Sequence, residues 1–496
     1  MPDTDAKLSF HIKSPDKFYI GGEWVKPSSG DTFNVISPNT EQVIATVAMA
    51  READMDRAVA AARKAFDHGP WPRMSHAERA DYMRKFAAEV RKRGSELGHL
   101  WTEQMGIIYA IGQYSAEAAA STYEFYAGLA DTYPFEENHT KPGATDTTLL
   151  VREPVGVVAA IAPWNGPLAL MTNKTAPALL AGCTIIMKPA PETPLDAYIL
   201  AECAEAVGLP AGVLNLVNAG REVSEYLVRR PGVDKVSFTG STVAGKRIAS
   251  ACGERIARCT LELGGKSAAI ILDDYSPADA AAALAPALSM MTGQVCAALT
   301  RVIVPHKRHN EFADAFASQL QAITVGNSYE PTTQMGPLSI ERQRDRVEGY
   351  IAKGKAEGAR LITGGNRPKH LNRGYFIEPT LFANVETSMT IAQEEIFGPV
   401  LSMISYKDDQ DALRIANDSA FGLNGAVFTN DVDRAYRMAR EIRSGTVGHN
   451  GMKLDFGVAF GGFKQSGIGR EGGKEGLLPY LETKTVILAG RPSHLN

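Results

Sequence analysis

Hydrophobic positions recur with two different periods along this chain of 496 residues. Near the start the period is helical: Met55, Val59, Ala62 and Phe66 fall on one face, and Asp54 stands where a capping side chain belongs. A second helical stretch is predicted from 77 to about 93. Around 134–143 the chain turns polar, with Glu136, Glu137, Asn138 and Lys141, and reads as a connection. From Val155 onward the pattern changes to short apolar runs at 155–161, 184–187, 213–217, 236–239 and 261–263, followed by 268–272. Their starts lie about 20 to 30 residues apart, with helical stretches such as 194–207 and 243–251 between them, which is βαβ spacing. The expected fold class is therefore α/β, with a parallel sheet covered by helices. A second set of strand and helix signals from Arg301 to about Val447 predicts another α/β unit. The run Thr485, Val486, Ile487 near the chain end reads as a strand that pairs with another element or with a partner subunit.

Composition narrows the function classes. The length corresponds to about three structural units. A net charge of −4 offers no basic face for nucleic acid, so none is expected as a partner. The longest apolar runs, 157–162 and the Ala-rich 280–285, fall short of the roughly 18 residues of a membrane span. The opening Met1, Pro2, Asp3, Thr4, Asp5 resembles neither a signal peptide nor a transit peptide, so no membrane association is expected. The five cysteines, Cys183, Cys203, Cys252, Cys259 and Cys296, form no C-x-x-C pair. An odd count argues against a disulfide framework or a zinc cluster; no metal is expected, and the expected compartment is the reducing cytoplasm.

A parallel sheet presents its ligand site beyond the carboxyl ends of its strands. After the first run stand Pro163, Trp164 and Asn165, and after the second Lys188. After the fourth comes Gly240-Ser241-Thr242-Val243-Ala244-Gly245, and the fifth carries Glu262 and Leu263. The spacing Gly240-x-x-x-x-Gly245-Lys246 matches a triphosphate-binding loop until Arg247, which replaces the Ser or Thr that must hold magnesium. What survives is a tight turn opening a helix, whose free N–H groups favour an anion such as a pyrophosphate; a purely structural turn fits the motif equally well. A lone cysteine is usually a small buried hydrophobe. Cys296 has small neighbours that leave its sulfur approachable, whereas Cys183 enters a buried strand. Thiol chemistry also needs an oxyanion donor and a base for water, and Asn165 and Glu262 supply those groups. No histidine is placed to do so; His306, His309 and His370 lie in polar stretches and read as surface residues.

Asn165 after Pro-Trp, Phe238-Thr-Gly-Ser-Thr, Glu262-Leu-Gly-Gly-Lys, Gly293-Gln-x-Cys296, Glu394-Glu395-Ile-Phe397-Gly-Pro and the segment from Gly461 to Glu471 together resemble the NAD(P)-dependent aldehyde dehydrogenase superfamily. The resemblance runs in order from about residue 18 to 488. It implies a Rossmann-like NAD(P)-binding domain (1–135 and 154–263), a second α/β catalytic domain (264–465) and a small β oligomerisation arm with a C-terminal tail (136–153 and 466–496). It implies an aldehyde substrate and a homodimer or homotetramer. Cys296 would be the nucleophile that forms a thiohemiacetal and then a thioester, Asn165 the oxyanion donor, and Glu262 the general base for hydrolysis. Lys188 would reach the adenine-side ribose, with Gly240, Ser241 and Gly245 at the pyrophosphate and Glu395 at the nicotinamide ribose. Phe397 would pack near the nicotinamide, while Pro163, Trp164 and Leu263 line the same crevice.

Five departures from that family pattern matter. Many relatives read Lys-x-x-Glu, whose Glu binds the ribose hydroxyls; here Pro191 takes that position and Glu192 follows it, so NAD is favoured over NADP only by the nearness of Glu192. Gly166 stands where an aromatic is frequent, Gly448 where Trp is frequent, and Phe421 and Ala459 replace a usual Tyr and Pro. The lost bulk near the expected tunnel points to a bulky hydrophobic aldehyde. A CoA-acylating relative, which usually lacks the base, and a catalytically silent binding or structural member are the rivals; Glu262 weighs against the first, and intact Cys296, Asn165 and Glu262 weigh against the second.

Overall fold

In the computed structural model, which describes residues 10–495, the apolar runs become strands with both faces buried. Residues 1–5, whose sequence resembles no targeting peptide, lie outside the described residues. In the strand Val157–Ile161, Val158 and Ala160 enter one core cluster while Val157, Ala159 and Ile161 enter another on the opposite face. That is why the run reads as continuously apolar rather than alternating. Each large aliphatic side chain buried this way contributes about 1.5–3 kcal/mol. The strand starts at 157 because Gly156, at φ +128°, turns the chain in where the Asp234 carboxylate accepts the Val157 N–H at 2.7 Å. A Cβ on Gly156 would lie 1.8 Å from that carboxylate, so only glycine fits.

The first sheet has eight strands, in the order Glu23–Val25, Phe18–Ile20, Leu214–Leu216, Thr184–Lys188, Val157–Ile161, Lys235–Thr239, Arg258–Glu262 and Gly467–Ile468. The five from Leu214–Leu216 to Arg258–Glu262 are parallel and the flanking pairs antiparallel. The chain builds outward from Val157–Ile161 in one direction, then returns to add Lys235–Thr239 on its other side. The sheet therefore has its switch point between these two strands, where an α/β sheet opens a crevice.

A second sheet of seven strands runs Arg360–Thr363, Thr380–Ala383, Val400–Tyr406, Arg301–Pro305, Ala268–Ile271, Asn424–Phe428, Thr446–His449, parallel except for the first. The apolar run at 268–272 thus belongs to this second sheet. Its alternate residues divide between two cores in the same way, Ala268 and Ile270 against Ala269 and Ile271. A third, antiparallel sheet pairs Thr147–Pro154 with Glu136–Asn138 and with Leu481–Leu488, the last in continuous eight-residue register. The segment 466–496 is divided: Gly467–Ile468 closes the edge of the first sheet, and Leu481–Leu488 the edge of the third.

Two local readings are corrected. The first helix, Glu52–His68, is capped by Arg51 and not by Asp54. Asp54 sits one turn inside and reaches back to accept the Arg51 N–H at 2.9 Å and the Ser28 N–H at 2.8 Å, which is the acidic half of a capping box. His309, read as a surface residue, is buried, with its ring facing the Asn384 N–H.

The helix Thr242–Glu254 leaves the switch point and lies directly against the end of Arg258–Glu262. A Cβ on Gly245 would come 2.5 Å from the Leu263 side chain. Gly245→Val should therefore force the helix off the sheet and cost about 1–3 kcal/mol, measured as a lowered denaturation midpoint.

Candidate active site

The carboxyl edge of the first sheet faces the amino edge of the second across a crevice of about 650 Å³. Pro163, Trp164, Asn165, Gly240, Ser241, Glu262, Leu263, Cys296, Glu395 and Phe397 all line it. Lys188, Glu192 and Gly245 do not. Lys188 is buried at the end of its strand, Glu192 pairs with Arg342 on the crevice wall, and Gly245 is the packing contact described above.

Cys296 sits on a loop held in an uncommon conformation. Met291, Thr292 and Gly293 have φ of 52°, 55° and 69°, a left-handed run that only Gly adopts without cost. Thr292 is tied down by donating to the Gly336 carbonyl at 2.9 Å, and a Cβ on Gly293 would lie 2.4 Å from the Gly398 backbone. After the turn, Asn424 donates to the Ala297 carbonyl at 2.9 Å. The sulfur is half-buried among Val295, Ala297, Leu423, Leu454 and Phe460. Burial, followed by the Glu395 and Glu262 carboxylates, pushes its thiol up to about 12, so the resting sulfur keeps its proton.

Asn165 follows the first central strand and reaches across to the cysteine loop. Its side-chain amide donates to the Gln294 carbonyl at 2.9 Å, and its own carbonyl accepts from the Trp101 indole at 3.0 Å. Two protons on that nitrogen and one such bond leave a second donor for another acceptor.

Glu262 ends the strand Arg258–Glu262 and is 2% exposed, and neither carboxylate oxygen has a hydrogen-bond partner. Burial raises it well above the ordinary carboxylate range; the nearby Glu471 adds to this, and Lys174 and Arg470 oppose it. Behind it, the buried Lys174 ammonium donates to Glu471 at 2.5 Å and to the Thr239 hydroxyl at 2.6 Å. Glu471 keeps one buried oxygen unpartnered.

The fit of a dinucleotide rests on the turn and on the opposite wall. Ser241 caps the helix Thr242–Glu254, its hydroxyl accepting the Ala244 N–H at 3.3 Å, so the helix's positive end opens on the crevice. Across from it, Glu395 accepts the Gly265 N–H at 3.1 Å and is pushed up to about 7 by burial. Phe397, at φ 59°, stands edge-on to Trp164 with ring centroids 5.3 Å apart. The helix Glu341–Ala356 fixes this wall: Gln343 donates to the Phe397 carbonyl at 2.7 Å, Arg346 to the Glu395 carbonyl at 2.7 Å, and the Tyr350 hydroxyl to Glu394 at 2.7 Å. The site is thus anionic and aromatic at one wall and rich in N–H donors at the other, which suits a ribose and a pyrophosphate respectively. Among the described residues no group of three His, Cys, Asp or Glu could hold a metal ion.

Sequence reasoning gave no site role to Lys174, Thr239, Glu471, Arg342, Gln343, Arg346 or Tyr350. Glu471 was visible as the end of a motif. Lys174 carried one usable signal, a lone charge inside the apolar segment from Leu168 to Ala181. One inference about space is also corrected. Gly448 does not leave a hole, because a Cβ there would lie 2.5 Å from the Gly451 carbonyl. Gly166 does leave room, with only Leu170 within contact range.

The sequence profile of the aldehyde dehydrogenase family matches residues 24–486. A geranial dehydrogenase from Castellaniella defragrans is 44% identical over 474 residues, covering 95% of this chain and 98% of that protein. An aldehyde dehydrogenase from Mycobacterium tuberculosis, solved with NAD+, is 46% identical with a TM-score of 0.92, covering 95% and 97%. A Pseudomonas syringae aldehyde dehydrogenase C variant solved with NAD+ and octanal is 38% identical with a TM-score of 0.93, covering 98% and 99%. Among the described residues no helix is long and apolar enough to cross a membrane. The fold, the crevice and these likenesses lead to one conclusion: the chain belongs to the aldehyde dehydrogenase family and is an NAD(P)-dependent aldehyde oxidoreductase.

Proposed function

We propose that the protein oxidises a bulky hydrophobic aldehyde to the carboxylic acid through a thioester on Cys296. The observation that carries this reading is that the thiol, the spare amide donor of Asn165 and the unpartnered carboxyl of Glu262 all open on one crevice. Bound NAD+ supplies the hydride acceptor and brings a positive charge to the site. The Cys296 thiol gives up its proton to water as the sulfur attacks the carbonyl carbon, and the developing oxyanion takes hydrogen bonds from the Asn165 amide and the Cys296 backbone N–H, a donor typically worth about 2.7–4 kcal/mol. After hydride loss the acyl group remains on sulfur. Glu262 then takes a proton from water, and the hydroxide attacks the thioester; the C–S bond breaks, the acid leaves, and the proton on Glu262 passes to sulfur to restore the thiol.

Burial favours the protonated form of Glu262, so a proton it holds needs an outlet. Glu471, with one free buried oxygen and Lys174 holding the other, provides the adjoining buried acceptor. A base beside the acylated sulfur supports hydrolysis, rather than transfer to CoA, as the end of the cycle. The apolar surroundings of the sulfur suit a large hydrocarbon tail, and relatives named for geranial and crystallised with octanal support the same substrate class. The protein is proposed to work in the cytoplasm as a homodimer or homotetramer. The Leu481–Leu488 strand, whose outer edge has no partner strand among the described residues and whose Ile487 is 65% exposed, is the surface proposed for association.

Three outcomes are expected. Cys296→Ala should abolish NADH production, and turnover of a terpenoid aldehyde should exceed that of acetaldehyde in kcat/KM; equal or reversed preference rejects the bulky-substrate reading. Glu262→Gln should keep a stoichiometric NADH burst while slowing steady turnover by about 10²–10⁴-fold, and should remove a rate limb lying above the ordinary carboxylate pH range. Stability carries the opposite sign. Because the folded pKa of Glu262 lies above its unfolded value, the native state holds a proton that the unfolded state has lost. Stability therefore falls as pH rises from about 4.3 through the folded value, and thermal melts of Glu262→Gln should lack that decline.

A further inference from the structure

The strand Thr184–Lys188 is the second of the first βαβ unit, and the residues beyond it are where a dinucleotide fold meets the adenosine ribose. An acid there favours a free 2′-hydroxyl, and an arginine there accommodates a 2′-phosphate. This chain holds one of each, tied together. Glu192 comes from the first-sheet side, and Arg342 from the start of the helix Glu341–Ala356 on the opposite side, so their contact spans the mouth of the crevice. The Arg342 guanidinium donates to the Glu192 carboxylate at 2.5 Å. Arg342 is 68% exposed and makes no other ion pair among the described residues, while the Glu192 side chain is 11% exposed. With Lys188 behind them and Pro191 in place of a second acid, the three charged groups at this end sum to about +1 at neutral pH, where Lys188 is mostly protonated.

We propose that Glu192 and Arg342 form a two-way cofactor selector, in which Glu192 accepts from the ribose 2′-hydroxyl of NAD and Arg342 takes the 2′-phosphate of NADP, so that the enzyme uses both. The selector rests on the reading of the crevice as a dinucleotide site. Binding NAD requires Glu192 to share or release Arg342. Binding NADP moves Arg342 from carboxylate to phosphate, where a planar guanidinium makes two parallel bonds to a doubly charged group. The two cofactors therefore respond to the two side chains with opposite sign.

The test measures dissociation constants of NAD and NADP on the full-length protein by quenching of tryptophan fluorescence, since Trp164 lines the crevice. The wild type should bind both. Arg342→Ala should weaken NADP by about tenfold or more, the worth of one charge-assisted hydrogen bond, while tightening NAD by releasing Glu192. Glu192→Gln should weaken NAD and tighten NADP. A change of the same factor for both cofactors in either variant overturns the selector and leaves a structural clasp. NAD binding without NADP binding by the wild type also overturns it but spares the dinucleotide reading, whereas failure of both cofactors to bind defeats the two together. Thermal melts of each variant establish that it is folded.

Discussion

The chain passes from the buried carboxyl of Glu262 to the first residue of the second sheet in five residues, Leu263 to Ser267, and the path has almost no clearance. A Cβ on Gly264 would lie 2.3 Å from the Glu395 carboxylate, and one on Gly265 would lie 2.4 Å from the Cys296 carbonyl. Two glycines in succession let the backbone run between the Glu395 carboxyl and the Cys296 loop. The Gly265 N–H, thus exposed, is also what orients Glu395. Because the connection is so short, the carboxyl edge of one sheet cannot drift from the amino edge of the other. Glu262, Cys296 and Glu395 are held in register by backbone sterics before any side chain acts.

Within that frame the site concentrates charge where water is scarce. Glu262, Glu471 and Lys174 are all buried, and one Lys faces two acids. Such a cluster is weak as a stabilising device, since desolvation offsets the attraction. Its effect is chemical: the low dielectric favours the neutral form of Glu262 and makes its protonation state sensitive to charge arriving in the crevice. The same holds for Cys296, whose thiol is protected at rest from both ionisation and stray oxidation by its apolar setting.

Much of this was legible in the sequence because the parallel strands are buried on both faces and therefore read as unbroken apolar runs. Asn165, Gly240, Ser241, Glu262 and Leu263 stand at or just past the ends of those runs, so strand ends alone brought them together. Cys296 needed its loop neighbours, and its role came with the resemblance. The wall formed by Arg342, Gln343, Arg346 and Tyr350 was invisible for a physical reason. These residues lie on a polar helix whose crevice-facing contacts, such as Gln343 with the Phe397 carbonyl 54 residues later, arise only from tertiary packing. Asp54 misled because an acid one turn inside a helix and an acid at its cap share a signature. Gly448 misled because a missing side chain was equated with empty space, and backbone from Gly451 fills that space.

The strand Leu481–Leu488 closes one edge of the three-stranded sheet along eight registered residues, and among the described residues no strand pairs with its own outer row of N–H and C=O groups. An open edge of that length is a template for any extended chain, native or not. A second extended chain laid along it would satisfy those groups, so concentration acts on this edge in a way that it does not act on the sealed interior.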